Sequence, residues 1–107
     1  MTMETLRTRE SFDKAIQEHD KLLLLKHSLT CPISASAKNA FEDYAKDTET
    51  PAYILPIQEA RELSGQIADD FGVKHESPQA LLFNGQQVTW NASHFNVTKD
   101  SLKKADE

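Results

Sequence analysis

Four consecutive leucines, Leu22 to Leu25, lie between Lys21 and Lys26 and constrain the fold more than any other segment. The run is too short for a helix of its own. An uninterrupted apolar run of this length is typical of a central strand that is buried on both faces. Burying both faces requires helices on either side of a sheet. The sequence therefore predicts an α/β fold with a central strand over residues 21–26.

Helical and strand-like patterns alternate along the rest of the chain. Further strands are predicted over residues 3–7, 52–55, 80–83 and 88–90, with a hairpin turn at Asn84-Gly85. One predicted helix follows Thr8 and another follows Thr98, each with that threonine as its N-cap. A third predicted helix begins at Pro32, and a fourth carries an apolar stripe that ends at Phe71. Gly72 is placed to end that last helix.

The resulting order of elements is β-α-β-α-β-α-β-β-α. This order is the one that the thioredoxin fold requires. We therefore predict a thioredoxin-like α/β fold, with a mixed central sheet of four or five strands flanked by helices on both faces. A chain of 107 residues has the length of one domain, so residues 1–107 are predicted to form a single thioredoxin-like domain.

Composition narrows the class of partner and the compartment. The net charge is −5 at pH 7, which provides no basic footprint for nucleic acid or for an anionic membrane surface. The longest apolar run is the leucine segment, far short of a membrane span. The first residues lack the apolar segment of a secretory signal. A cytoplasmic monomer without nucleic-acid or membrane partners is expected.

Cys31 is the single cysteine of the chain, which excludes an internal disulfide. It lies between the predicted leucine strand and the helix that begins at Pro32, so Thr30 or Cys31 is the expected N-cap. Free N–H groups and the helix dipole at such a position favour a thiolate. The sequence thus favours a nucleophilic thiolate over a cysteine that only packs. The four histidines show no zinc-ligand spacing, and no metal is predicted.

Ser34 stands where a second cysteine would complete a two-cysteine C-x-x-C redox motif. With Cys31-Pro32-Ile33-Ser34 in its place, a resolving thiol must come from another molecule. Ser34 is either a hydrogen-bond donor to the sulfur of Cys31 or an ordinary serine of the first helical turn.

Ser77-Pro78 begins the predicted strand over residues 80–83. In thioredoxin-like folds a cis-proline occupies this place, and the backbone of Ser77 would then be free to pair with an extended substrate. Because the hairpin brings the chain back, Ser93 and His94 are expected at the same end of the sheet. There His94 could stabilise the thiolate or bind a ligand carboxylate, or be a plain surface residue.

Three segments together resemble the monothiol bacilliredoxins, bacterial thioredoxin-like proteins that use bacillithiol in place of glutathione. They are Thr30-Cys31-Pro32-Ile33-Ser34, residues 72–80, and Trp90-Asn91-Ala92-Ser93-His94. The resemblance implies removal of bacillithiol from mixed disulfides on cytoplasmic proteins. Cys31 would be catalytic, Thr30, Pro32 and Ser34 would support it, and Ser77, Pro78, Ser93 and His94 would bind substrate. Bacillithiol would serve as co-substrate, without a metal.

Two alternatives remain open at the level of sequence. A monothiol glutaredoxin that carries an iron–sulfur cluster would have Gly after the cysteine, so Pro32 counts against it. A redox-inactive thioredoxin-fold binding module would use Cys31 for packing only, and would resist alkylation of the thiol in the folded state.

Overall fold

A five-stranded mixed sheet forms the centre of a computed structural model that describes residues 3–29 and 32–107. Its strand order is β1-β3-β2-β4-β5. Strands β1 to β3 are mutually parallel, whereas β4 is antiparallel to both β2 and β5. The strands are β1 (Glu4–Thr5), β2 (Lys21–His27), β3 (Ala52–Pro56), β4 (Gln79–Asn84) and β5 (Gln87–Ser93).

Helices cover both faces of the sheet, as the leucine run predicted. They are α1 (Arg9–Glu18), α2 (Pro32–Ala45), α3 (Arg61–Phe71) and α4 (Lys99–Asp106), with short 3-10 turns at Ile57–Glu59 and His94–Asn96. Leu22 and Leu24 pack in one core with residues of α1 and α3, whereas Leu23 and Leu25 pack in the other with residues of α2 and α4. The predicted thioredoxin-like element order is confirmed.

The predicted helix ends are confirmed where the structure describes them. Thr8 caps α1 by accepting the N–H of Ser11 at 3.1 Å, and Thr98 caps α4 by accepting the N–H of Ser101 at 3.0 Å. Gly72 ends α3 in the left-handed conformation, with φ 65°. Among the described residues, no helix combines the length and the apolar content needed to cross a membrane.

The hairpin turn lies one residue later than the Asn84-Gly85 signal indicated. Gly85 and Gln86 have φ of 61° and 66°, while Asn84 still pairs with Gln87. Positive φ at both central residues is the geometry of a type I′ turn. The N–H of Gly85 donates to the carbonyl of Asp20 at 2.8 Å, and this bond fixes the turn against the loop that precedes β2.

A buried carboxylate fastens α4 to the rest of the domain. Asp106 accepts hydrogen bonds from Tyr44, from Thr48 at 2.7 Å and from Thr50 at 2.8 Å, and pairs with Lys21 at 2.8 Å. Burial alone would raise the pKa of Asp106, but these four partners outweigh it and lower the pKa to about 2. Residues far apart in sequence meet here, so the sequence pattern did not predict the cluster.

Replacing Asp106 by Asn should remove an acid-dependent part of the stability. Because the folded pKa lies below the usual value of 3.8, the carboxylate stabilises the fold fully above about pH 4. That contribution, about 2 kcal/mol, is lost as the pH falls towards 2. Urea unfolding measured from pH 6 to pH 2 should show that the free energy of unfolding falls less steeply for Asp106→Asn than for the wild type. Asp100→Asn, an exposed change in the same helix, should leave the decline intact.

Candidate functional site

The ends of four strands meet at one edge of the sheet. Parallel β2 and β3 finish there at His27 and Pro56, which pair with each other. Antiparallel β4 begins there at Gln79, which pairs with Lys26 of β2 and with Ser93 at the end of β5. The return of Ser93 to the edge where β2 ends is the placement that the sequence predicted.

Cys31 and Thr30, the predicted nucleophile and its neighbour, lie outside the described residues, and their roles remain predictions. The predicted N-cap of α2 falls on the same two residues. The chain on either side is described: β2 ends at His27, and Pro32 is exposed as the first residue of α2. The prediction that Pro32 occupies the first helical position is confirmed.

Hydrogen bonds fasten the segment that leads out of β2. The N–H of Ser28 donates to Oγ of Ser34 at 3.0 Å, and Ser34 is fully buried in the first turn of α2. Gln58, in the 3-10 turn after β3, accepts the N–H of Leu29 at 3.0 Å and donates to Oγ of Ser28 at 3.0 Å. Ser34 therefore acts as an acceptor for the loop, and among the described residues no acceptor is found for its own hydroxyl hydrogen.

The peptide bond between Ser77 and Pro78 is cis, as the fold led us to expect, and Pro78 is buried. The carbonyl of Pro78 accepts the N–H of His94 at 2.9 Å, which holds the end of β5 beside the proline. Oγ of Ser77 is buried without a hydrogen-bond partner among the described residues. Ser77, Pro78 and His94 are thus brought together at this edge.

A carboxylate of the protein itself, that of Glu76, lies on the β5 side of the proline loop. Glu76 accepts a hydrogen bond from Oγ of Ser93 and lies 3.6 Å from Nδ1 of His94. The Ser93 hydrogen bond lowers the pKa of Glu76, so this carboxyl is ionised at neutral pH. A ligand carboxylate would meet that negative charge here, and an ammonium group is favoured instead. The arrangement therefore weighs against the carboxylate contact that the sequence suggested for His94.

Lys26 is a residue that the sequence analysis missed as part of the site. Its side chain is fully buried, and Nζ lies 3.0 Å from the carbonyl of Ser64 and 3.4 Å from Nδ1 of His75. Oγ of Ser64 is 3.1 Å from the same Nδ1. No carboxylate is paired with Lys26 among the described residues. The α3 side of the edge thus holds a buried positive charge without a counter-ion in the part of the chain that the structure describes.

His27 is a second buried group that the sequence did not single out. It follows Leu23 and Leu25 in the alternation of β2, so its ring lies on the α2 side. Burial and the charge of Lys38 lower the pKa of His27, and the ring is neutral at physiological pH. Its Nδ1 has no hydrogen-bond partner in the described part of the chain. The imidazole therefore has hydrogen-bonding capacity that the described contacts do not use.

Lys26→Met should stabilise the protein at neutral pH. It should also make the free energy of unfolding less dependent on pH in the alkaline range. Burial lowers the pKa of Lys26 from 10.5 to about 8, so the folded state bears a penalty of about 3 kcal/mol below pH 8. That penalty is relieved as the pH rises from 8 to 10.5, because the unfolded state keeps the proton longer. Chemical denaturation should show wild-type stability rising against the Met variant across this window.

Lys46→Met is the matched control, since Lys46 is exposed on the surface. The free energy of unfolding of Lys46→Met should change with pH as that of the wild type does. A constant stability difference between wild type and Lys26→Met from pH 7 to pH 10 would contradict the buried charge.

Comparison with known proteins identifies the family. Residues 4–102 match the family model of the monothiol bacilliredoxin BrxC. A solved thioredoxin-fold protein, to which oxidoreductase activity is ascribed, is 38% identical with a TM-score of 0.94, over 98% of this chain and 94% of that one. No cluster of three or more potential metal ligands occurs among the described residues.

More distant structures share the fold alone. A mutant thioredoxin of Halobacterium salinarum is 18% identical with a TM-score of 0.79, over 95% of this chain and 85% of its own. Plasmodium falciparum thioredoxin is 12% identical with a TM-score of 0.80, over 96% and 95% of the two chains. Taken with the family match, these findings support thiol–disulfide exchange on a thioredoxin fold, and the chain belongs to the monothiol bacilliredoxin family.

Proposed function

We propose that this protein removes bacillithiol from mixed disulfides on cytoplasmic proteins, with Cys31 as the nucleophile. The observation that carries the proposal is the family match over residues 4–102, which includes the single cysteine of the chain. The protein would act as a monomeric single domain, with bacillithiol as co-substrate and without a metal.

The reaction is a pair of thiol–disulfide exchanges. The thiolate of Cys31 attacks the bacillithiol sulfur of the mixed disulfide, a Cys31–bacillithiol bond forms, and the client protein leaves as a thiolate. A free bacillithiol thiolate then attacks the bacillithiol sulfur held on Cys31. This second step releases bacillithiol disulfide and restores the Cys31 thiolate. The external thiol is necessary because the chain has no second cysteine.

Several features of the site support this chemistry. Helix α2 has 14 residues, and its N-terminal dipole favours an anion at its start, next to Pro32. Ser34 would donate its remaining hydroxyl hydrogen to the sulfur of Cys31, while Thr30 would supply the cap. Since the pKa of a thiol falls in such surroundings, Cys31 would be ionised near neutral pH.

Other features support a protein as the substrate. Beside the cis-proline, the backbone of Ser77 would pair with an extended segment of the client, with Pro78, Ser93 and His94 lining the same groove. Leu29 and Phe95 are large apolar side chains that remain 55% and 78% exposed. They flank this edge, where they would contact the apolar surface of a client.

Incubation with bacillithiol disulfide should add one bacillithiol to the wild type, seen by intact mass spectrometry. The adduct should disappear on addition of excess free bacillithiol, because exchange is reversible. Cys31→Ala should gain no mass, since the attacking sulfur is gone. A wild type that stays unmodified under these conditions would refute the proposal, and equal modification by glutathione disulfide would refute the choice of bacillithiol.

Ser34→Ala tests the supporting role of Ser34. The variant leaves the partly buried N–H of Ser28 without its acceptor, which should destabilise the fold by about 1 kcal/mol. Loss of the hydrogen bond to the sulfur should also raise the pKa of the Cys31 thiol, measured from the pH dependence of iodoacetamide alkylation. Ser36→Ala, an exposed change in the same helix, should alter neither quantity. An unchanged alkylation profile in Ser34→Ala would limit Ser34 to the structural role.

A further inference from the structure

The two sides of the proline loop carry opposite charge. On the β5 side, Glu76 faces Ser93 and His94. On the α3 side, His75 contacts Ser64 and the buried ammonium of Lys26. A ligand that crosses Pro78 therefore meets a carboxylate at one end and a positive potential at the other.

A cavity of about 260 Å³ opens on the positive side. It is lined by Ile57, Arg61, Ser64, Gly65 and His75. Arg61 is exposed, and its guanidinium has no ion-pair partner among the described residues. Ile57 belongs to the same 3-10 turn as Gln58, which holds the loop that leads towards Cys31. The cavity is thus part of the edge at which the proposed chemistry takes place.

Lys26 lies directly behind the cavity wall. The two groups that its Nζ contacts, the carbonyl of Ser64 and Nδ1 of His75, belong to residues that line the cavity. A buried charge in a low-dielectric surrounding acts on its neighbourhood more strongly than an exposed one. With only neutral partners among the described residues, its field is left to act on whatever enters the cavity.

The contacts of His75 fix which ring nitrogen carries the proton. An ammonium group has no acceptor, so Nδ1 of His75 must accept from Lys26. The proton is then on Nε2, and burial and the charge of Lys26 lower the pKa of His75, which keeps the ring neutral. His75 therefore presents an N–H donor, and Arg61 adds a planar set of donors suited to a carboxylate.

We propose that this cavity binds a carboxylate group of bacillithiol, with Arg61 and the Nε2–H of His75 as direct ligands and Lys26 as the buried charge behind them. The inference rests on the proposed function, because bacillithiol carries carboxylates as well as an amine. It also assigns the orientation of the thiol: its carboxylate end lies towards α3, and its amine end towards Glu76.

The test is a binding titration with S-methyl bacillithiol, which cannot exchange thiols, followed by ¹⁵N NMR. In the wild type, shifts should concentrate at the amides of Gly65 and His75. Arg61→Gln and His75→Ala should each weaken binding about two- to fivefold, the range of one charged contact at an exposed site. Lys46→Gln, which also removes one positive charge, should bind as the wild type does.

Methyl esters of the same ligand separate charge from shape. Esterification should weaken binding to the wild type by at least the same factor. It should weaken binding to Arg61→Gln by a smaller factor, since only His75 and the charge of Lys26 then remain to be lost as carboxylate partners. The inference is overturned if Arg61→Gln binds the acid as tightly as the wild type does, or if the shifts centre on Ser93 and His94. This titration involves no thiol exchange, so it is independent of the adduct experiment. If Cys31 formed no adduct with bacillithiol, the proposed function would be refuted, while the carboxylate site would still be decided by the titration.

Discussion

Burial of β2 on both faces is the constraint on which the rest of the structure depends. Its leucines alternate between the two cores, so the strand occupies the centre of the sheet with helices on each side. A central strand fixes the positions of both its neighbours, and the ends of β3 and β4 are thereby brought beside His27 and Lys26. The edge that carries the candidate site is therefore positioned first by the hydrophobic interior, and its polar contacts then fasten the loops that leave it.

The change from leucine to Lys26 and His27 occurs within that same buried strand. Both side chains are more than nine-tenths buried, at 0% and 8% exposed, although charged and imidazole groups bear a desolvation penalty in such places. Apolar residues of similar size would give a more stable strand end. Retaining polar groups where they cost stability is the pattern expected where activity requires a destabilised site.

The sequence predicted the order of elements and the caps at Thr8 and Thr98, because each depends on local chemistry or on a period. The cis bond before Pro78 was expected only through the fold that this order implies, since the residues themselves do not encode it. The sequence placed the hairpin turn one residue early, since the contact of Gly85 with Asp20 is tertiary. It treated Lys26 as the boundary of a strand, because lysine is rarely fully buried. The Asp106 cluster and the bridge made by Gln58 were missed for the same reason: their partners are distant in sequence.

The charge distribution around Pro78 arises because successive residues of the proline loop make contacts on opposite sides of it. His75 and Glu76 are adjacent in sequence but contact opposite neighbours, the first on α3 and the second on β5. From the sequence, histidine followed by glutamate in this loop is either a substrate contact or a solvated polar pair, and the pattern does not show which neighbours the two side chains meet. In the fold, His75 contacts the buried ammonium of Lys26 on one side, while Glu76 places a carboxylate on the other. A ligand with both an amine and carboxylates would match this separation in one orientation only, which is the physical basis of the orientation proposed above for bacillithiol.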